Sequence, residues 1–458
     1  MTAIASIAPA PGKTRAYHFP RCARATLPSG AKAVVAPMNK LPLVTVTLVF
    51  HRAGADADPV DRDGLATLTA AMVLEGTQAC DGSALTERFE SLGSVLTIEA
   101  EWDATLVSFT VQPERLDAAV SLVTDVLGAP AFPARALDRL RAELRAERMQ
   151  LMAEPRTLAD AAFAWQCYGS QSRYRRPLAG TAASVAAITL DDVEGFWRTR
   201  YAAAAATIVV AGDVTESRGM DIAARLGAPR AAAASPPTSL DTSPREGRGI
   251  SVVARPGAAQ AEVRIGHIGV PRGHPEYFPL TVMNAILGGL FSSRVNLNLR
   301  EKHGYTYGAF SSFDWRTAAG PWIVSTAVKT DVTAAAAKEV LAEIDRIRTD
   351  EVDFDELALA TQYLAGVFPL RFETTLAVAG AFAAQAMYGL PADYFDTYRD
   401  RVAGVTPAQV RTVAREHLHP EQLAVVVVGD PNELRAQSSN IGTGGTTEWS
   451  PDDVERAL

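Results

Sequence analysis

A metal or nucleophilic centre in this chain would have to be built from seven histidines, three cysteines and a share of 52 acidic side chains. The histidines are His18, His51, His267, His274, His303, His417 and His419, and only His417 and His419 are close in sequence. Two residues apart on a helix they point to different faces, which makes a poor ligand pair. Cys22, Cys80 and Cys167 are far apart and in no C-x-x-C spacing. That excludes a zinc ribbon and a disulfide framework, and a reducing compartment is the simpler reading. No G-x-S-x-G elbow is present, and neither Gly288-Gly289 nor Gly442–Gly445 fits a phosphate-binding G-x-x-x-x-G-K-S/T loop.

The chain has 458 residues, 48% hydrophobic and 21% charged, enough for two to four compact units. Its formal charge is −8, and its arginines are interspersed with acids, so no nucleic-acid partner is expected. The one dense basic stretch, Arg173–Arg176, reads as a solvated loop. No window approaches the ~18–20 apolar residues of a membrane span. The first residues make a poor secretory signal, so a cytoplasmic location is expected, or a periplasmic one if the N-terminus was processed.

Any functional side chains must be positioned by elements, and the elements repeat. ITLDDVEGFWRTRYAAAAATIVVAGDVT from Ile188 superposes without gaps on VTPAQVRTVAREHLHPEQLAVVVVGDPN from Val405, an offset of 405 − 188 = 217. Thr189 and Thr406 are N-cap candidates, and Pro407 takes the favoured first helical position. A short amphipathic helix then leads to the β-branched runs Thr207–Val210 and Val425–Val428, which stop at Gly-Asp. The same offset carries Val46 in VTVTLVF onto Val263 in EVRIGHIGV, so the repeat also begins in register.

Two tandem homologous domains are therefore expected, over 17–226 and 248–434. An extended Ala/Pro/Ser-rich linker over 227–247 joins them, and a polar tail over 435–458 is expected to be mobile or docked only by Trp449. Leu85–Leu92, Arg115–Leu127 and Leu137–Met152 have helical spacing, Pro155 is a breaker, and Val95–Val111 reads as two strands around Trp102-Asp103. Such mixing without strict βαβ alternation predicts an α+β fold, each domain a mainly antiparallel β-sheet covered by α-helices.

In the second repeat, AILGGLFSSRVNLNLREKHGYTYGAFSSF (Ala285–Phe313) reads as a helix with Leu287 on its apolar face and a Gly288-Gly289 break. A helix through Arg300 comes next, ending near Gly304 as a C-cap, and then a strand from Tyr305. Its GG-x-x-SSR and LRE-K-x-G-x-x-Y spacings, on a tandem repeat, resemble the inverted-motif zinc peptidases that include pitrilysin, insulysin and the mitochondrial processing peptidase. The resemblance runs from about Tyr17 to Leu434. Catalysis in that family uses H-x-x-E-H inside a G-L-A-H-x-x-E-H-M frame, with G-T shortly after it. Here the frame is Gly64-Leu65-Ala66-Thr67-Leu68-Thr69-Ala70-Ala71-Met72, closing with Gly76-Thr77. Thr67 and Ala71 stand where the histidine ligands would be, and Ala70 replaces the glutamate base. Alanine has no lone pair for a metal, and a neutral threonine hydroxyl is a poor zinc ligand. Glu147, at a third-ligand spacing of 147 − 71 = 76, cannot hold zinc alone and reads as a helix-surface carboxylate beside Arg145 and Arg148. No metal or other cofactor is expected on this chain.

The resemblance implies a task for the second domain. Arg300 and Tyr307 match the family's Arg/Tyr pair, which engages the substrate backbone and stabilises charge on the carbonyl oxygen under attack. A guanidinium and a phenol can both donate hydrogen bonds there without being consumed. Tyr305 is an alternative phenol, on the same strand face as Tyr307. Gly288, Gly289, Ser292 and Ser293 are expected to form an exposed, flexible turn that handles substrate. The role that the resemblance implies is a noncatalytic subunit of a heterodimeric zinc metallopeptidase. Its partner would be a homologous H-x-x-E-H chain carrying the zinc, and the pair would close around a peptide or unfolded protein. The alternatives are a non-proteolytic structural or assembly protein, and a standalone peptide-binding protein.

Overall fold

The computed structural model describes residues 16–228, 240–245, 249–438, 440–441 and 445–458. Its β-branched runs form two six-stranded sheets. The first comprises β1 (Ala23–Thr26), β2 (Lys32–Pro37), β3 (Val44–His51), β4 (Thr97–Ala100), β5 (Ala104–Val111) and β6 (Ala206–Gly212), in the order β1-β2-β6-β3-β5-β4. The second comprises β7 (Gly249–Ala254), β8 (Gln260–Ile268), β9 (Ala309–Phe313), β10 (Pro321–Lys329), β11 (Ala424–Gly429) and β12 (Gly445–Trp449), in the order β12-β7-β11-β8-β10-β9. Both are mainly antiparallel, with parallel pairs at β2–β6, β7–β11 and β7–β12. The α+β architecture is thus as expected.

The 217-residue offset persists in three dimensions. It relates β2 to β7 (249 − 32 = 217), β5 to β10 (321 − 104 = 217) and the Leu190–Arg200 helix to Pro407–His417 (407 − 190 = 217). Val46 pairs with Val210 in the first sheet, as Val263 pairs with Val427 in the second. Thr189 and Thr406 both cap their helices with a reciprocal capping box, which ties up otherwise unpaired first-turn N–H groups.

Each sheet carries helices of its own half on one face and a helix of the other half on the opposite face. The Pro155–Cys167 helix packs on β8 and β11, placing Leu158, Ala162 and Phe163 against Val426 and Val428. Reciprocally, the Thr375–Met387 helix packs on β3 and β6, placing Val378, Ala379 and Phe382 against Val209 and Ala211. The alternation in VTVTLVF is the pattern of a half-exposed strand, yet β3 is buried on both faces apart from its last residue. Its threonine face lies under the exchanged helix, where Thr45 Oγ1 is 2.8 Å from Thr375 Oγ1 and 2.8 Å from Thr110 Oγ1. Hydrogen bonding among the hydroxyls removes the cost of burying them.

The mobile tail expected over 435–458 is instead docked in its described part. Strand β12 adds in parallel to β7, and the Pro451–Ala457 helix buries Val454 against the core shared by the two halves. Trp449 does meet Trp165 edge to face, but Arg148 also pairs with Glu455 at 2.7 Å, and Ser450 and Asp453 form a capping box. A polar composition hides this because much of the contribution is backbone pairing, and only Ile441 and Val454 of the described tail residues are buried apolar side chains. The linker expected over 227–247 lies largely outside the described residues. Within it, Arg245 donates its N–H to the Cys167 carbonyl at 3.1 Å. Among the described residues no single helix is long and apolar enough to cross a membrane.

Truncation after Ile441 is expected to lower the melting temperature and to promote self-association through the uncovered β7 edge, as read by scanning calorimetry and size-exclusion chromatography. An unchanged melting temperature would instead restore the mobile tail.

Candidate functional site

The frame at residues 64–77 is held by groups that have no part in metal chemistry. Gly64 adopts φ 93°, and a Cβ there would lie 2.4 Å from the Ala179 carbonyl oxygen. The Leu65–Val73 helix begins under the fully buried carboxylate of Asp58, which accepts the N–H groups of Gly64 (2.7 Å) and Ala66 (2.8 Å). Arg173 donates to Asp58 at 3.0 Å and pairs with Asp63, as does Arg176. The expectation of a solvated loop at Arg173–Arg176 therefore fails for Arg173 and Tyr174, which are 5% and 1% exposed. Arg173 is buried because two buried carboxylates match it and three backbone carbonyls accept its remaining N–H groups. At the far end of the frame, Gly76 (φ 115°) approaches the Cys80 carbonyl so closely that a Cβ would be 2.5 Å away.

Inside the frame the chemistry is absent. Ala70 is buried, Ala71 is half-buried, and the Thr67 Oγ1 is shielded from solvent with no hydrogen-bond partner. Glu147 lies exposed on the Ala134–Ala153 helix. One unpartnered neutral hydroxyl, two methyl groups and a solvated carboxylate do not fit a zinc ion, which takes four N, S or O donors.

In the second half, the Tyr277–Asn284 helix continues through wide π-type turns at Ala285–Gly289, and a further helical stretch runs from Arg294 to Lys302. Gly288 is the offset partner of Ala71 (288 − 71 = 217) and is buried. A Cβ there would meet Ser311 Oγ at 2.5 Å and its backbone N at 2.7 Å. The glycine lets the helix lie against β9, where Asn284 also bonds Ser311 and the Trp322 indole. Of the four residues expected in an exposed turn, Gly289 and Ser292 are exposed, whereas Gly288 and Ser293 are buried.

Gly304 (φ 65°) ends the helix as expected, with its N–H on the Arg300 carbonyl (3.1 Å) and the Tyr305 N–H on the Leu299 carbonyl (2.8 Å). The strand then starts at Ala309 rather than Tyr305. Thr306 is the reason: its Oγ1 accepts the Gly308 N–H at 3.0 Å in a local turn that competes with the ladder. The two phenols consequently do not share a strand face. Tyr305 stacks on His303, with centroids 4.9 Å apart, and packs on the core of this half, whereas Tyr307 is 92% exposed. The Arg300 guanidinium lies 4.4 Å from the centre of the Phe291 ring and 3.5 Å from the Glu301 carboxylate. Phe291, Leu297 and Phe310 are also exposed, and of these Phe291 lies against the Arg300 cation.

His417 and His419 do face different ways. His417 Nε2 is 2.7 Å from Glu276 Oε2, whereas the His419 ring lies against that of His267, with ring centres 5.3 Å apart. Sequence reasoning missed that His274 and Glu276 join His417, because only the fold brings residues some 141 positions apart together. It also missed the junction of the halves. There Asp103 accepts the Thr317 N–H (3.0 Å), Arg316 lies 4.2 Å from the Trp102 ring centre, and Tyr168 donates to the Ala319 carbonyl (3.0 Å).

Comparison with known proteins agrees with this geometry. A family model described as insulinase (peptidase family M16) matches residues 33–178, and one described as the peptidase M16 inactive domain matches residues 187–364. The chain belongs to peptidase family M16. A protein of Streptomyces coelicolor described as an uncharacterized zinc protease is 24% identical over 401 residues, 86% of this chain and 87% of that one. The non-peptidase homolog YmxG of Helicobacter pylori is 21% identical over 399 residues, 85% of this chain and 90% of that one. Among solved structures, a peptidase M16 inactive domain from Pseudomonas fluorescens superposes with a TM-score of 0.83 at 26% identity, over 89% of this chain and 98% of that one. A protease from Helicobacter pylori also gives 0.83, at 18% identity, over 90% and 100% of the two chains.

Near the frame, burial and then the neighbouring Asp103 push the Asp56 carboxyl up to about 7, against the pull of Arg200. One of its oxygens is buried without a hydrogen-bond partner. A carboxyl whose folded pKa is raised costs stability as pH climbs from about 4 to about 7, because only the native state resists its ionisation. Asp56→Asn is therefore expected to stabilise the protein at pH 8 by on the order of 1–3 kcal/mol more than at pH 4, measured by urea unfolding. An equal effect at both pH values would refute the assignment.

Proposed function

We propose that this chain is the noncatalytic member of a two-chain zinc peptidase, supplying Arg300 and Tyr307 in trans to a homologous chain that carries H-x-x-E-H. One observation carries the reading: a chain with neither histidine nor glutamate at positions 67, 70 and 71 also has an Arg300–Tyr307 segment whose phenol is 92% exposed. A tyrosine kept to fill a core would not be left in water. The descriptions of two relatives, a non-peptidase homolog and an inactive domain, support a role without independent catalysis.

In this reading the partner's zinc, when bound, supplies the activated water. Arg300 and Tyr307 hold the peptide backbone and donate hydrogen bonds to the carbonyl oxygen as negative charge develops on it. The ring of Phe291 beside the guanidinium restricts its motion, while Nη1 lies shielded from solvent near the Glu301 carboxylate. Exposed Phe291, Leu297 and Phe310 would take up apolar side chains of an extended peptide or unfolded segment.

The test compares peptide hydrolysis by the purified chain, by the partner, and by the two mixed. The expected result is hydrolysis only by the mixture, with Arg300→Ala or Tyr307→Phe lowering kcat by about 10²–10³. Zinc-dependent hydrolysis by this chain alone would overturn the proposal. Full activity of both variants in the assembled complex would replace it with the structural or assembly role.

A further inference from the structure

Four of the seven histidines gather at one end of the second half, where the end of β8 and the loop before the Tyr277–Asn284 helix meet the end of the Pro407–His417 helix and the residues after it. They form two edge-to-face pairs. His267 and His419 lie 5.3 Å apart between ring centres, and His274 and His417 lie 4.9 Å apart. His267 is spent structurally: it is buried, with Nδ1 2.7 Å from the Ile268 carbonyl and Nε2 accepting the His419 N–H. The second pair is half-buried and has a carboxylate beside it.

We infer that His274, Glu276 and His417 form a binding site for a single divalent transition-metal ion of the zinc, nickel or copper class, separate from the emptied frame at 64–77. One ligand atom from each of the three lies within 4.8 Å of the other two, and among the described residues no other group of histidine, cysteine and carboxylate side chains does this. Zinc bonds of ~2.0–2.2 Å in tetrahedral geometry set ligand atoms roughly 3.3–3.5 Å apart. The 2.7 Å separation between His417 and Glu276 must then open by under an ångström, and the wider ones must close by about 1.5 Å at most. Side-chain rotation in a half-exposed site accommodates both changes.

The chemistry of the three donors selects the ion. Two imidazoles with one carboxylate suit zinc, nickel and copper and are too nitrogen-rich for magnesium or calcium. Two histidines edge to face would repel each other if both were protonated, whereas a metal ion uses both as neutral donors. Electrostatics favour a cation at this place a second time, because His417 is the last residue of its helix, where the carbonyl ends carry partial negative charge. With three protein ligands, a fourth position is left to solvent. The ion would clip the loop carrying His274 and Glu276 to the end of the helix carrying His417, joining segments 417 − 274 = 143 residues apart.

The experiment uses the untagged full-length chain, stripped with chelator and titrated with zinc chloride by isothermal calorimetry. Metal content after gel filtration and the visible spectrum of the cobalt-loaded protein give independent readouts. One equivalent of zinc is expected, with Kd near or below ~10 μM. His274→Ala and His417→Ala should each weaken binding at least about tenfold and abolish the cobalt band. Glu276→Gln, the mildest change, should weaken binding while leaving the melting temperature of the stripped protein unaltered, which covers the case in which a histidine variant misfolds. Thr67→Ala and Glu147→Gln should leave the titration unchanged. Absence of binding at about 100 μM zinc, or one equivalent retained by the His274→Ala/His417→Ala double variant, would overturn the site.

Discussion

The architecture depends on a reciprocal loan of helices. The central strands β6 and β11 are buried along their whole length on both faces, and the helices of their own half cover only one face of each. The second face of β6 is covered by Thr375–Met387, and the second face of β11 by Pro155–Cys167. Burial of apolar surface is worth about 25 cal/mol per Å², so a bare valine face would be a large penalty in water. Covering both faces by exchange makes the two repeats one cooperative body and fixes the frame helix relative to the second half. The contact route is continuous: Asp58 to Arg173, Arg173 over Trp102, and Arg316 over the same ring from the other side of the junction.

The residues around the degenerate motif and the residues within it obey different constraints. Gly64, Asp58 and Gly76 are fixed by backbone approach and buried hydrogen bonds, so the helix needs them whether or not it carries a metal. Positions 67, 70 and 71 carry no such duty. Threonine and alanine occupy them at no cost beyond one unpartnered hydroxyl. The second half shows the converse at Gly288, the offset partner of Ala71, where the helix is pressed on β9 so closely that no side chain fits.

What could be read from the chain alone was local. The 217-residue period, the capping threonines Thr189 and Thr406, the Trp102-Asp103 turn between β4 and β5, and the Gly304 stop each depend on a few neighbouring residues. The repeat then supplied the architecture, because two copies of one pattern imply two copies of one unit. The helix exchange was illegible, since Pro155–Cys167 has the composition of a helix that covers its own sheet. The docking of β12 was illegible because parallel pairing draws on backbone groups that every residue possesses. Arg300 and Tyr307 could be named from motif spacing, but the divergence of Tyr305 from Tyr307 hinged on the Thr306 hydroxyl taking the Gly308 N–H. The meeting of His274 and Glu276 with His417 depends on packing between distant segments and left no mark on the sequence.

The exchange of helices also limits how this protein can be taken apart. Neither repeat is a portable module: excised alone, each would carry a naked valine sheet on one side and a stray apolar helix with nothing to cover. Any rearrangement of its gene that duplicated, deleted or fused a single repeat would have to bring the other along, so the pair is the smallest inheritable unit of this fold.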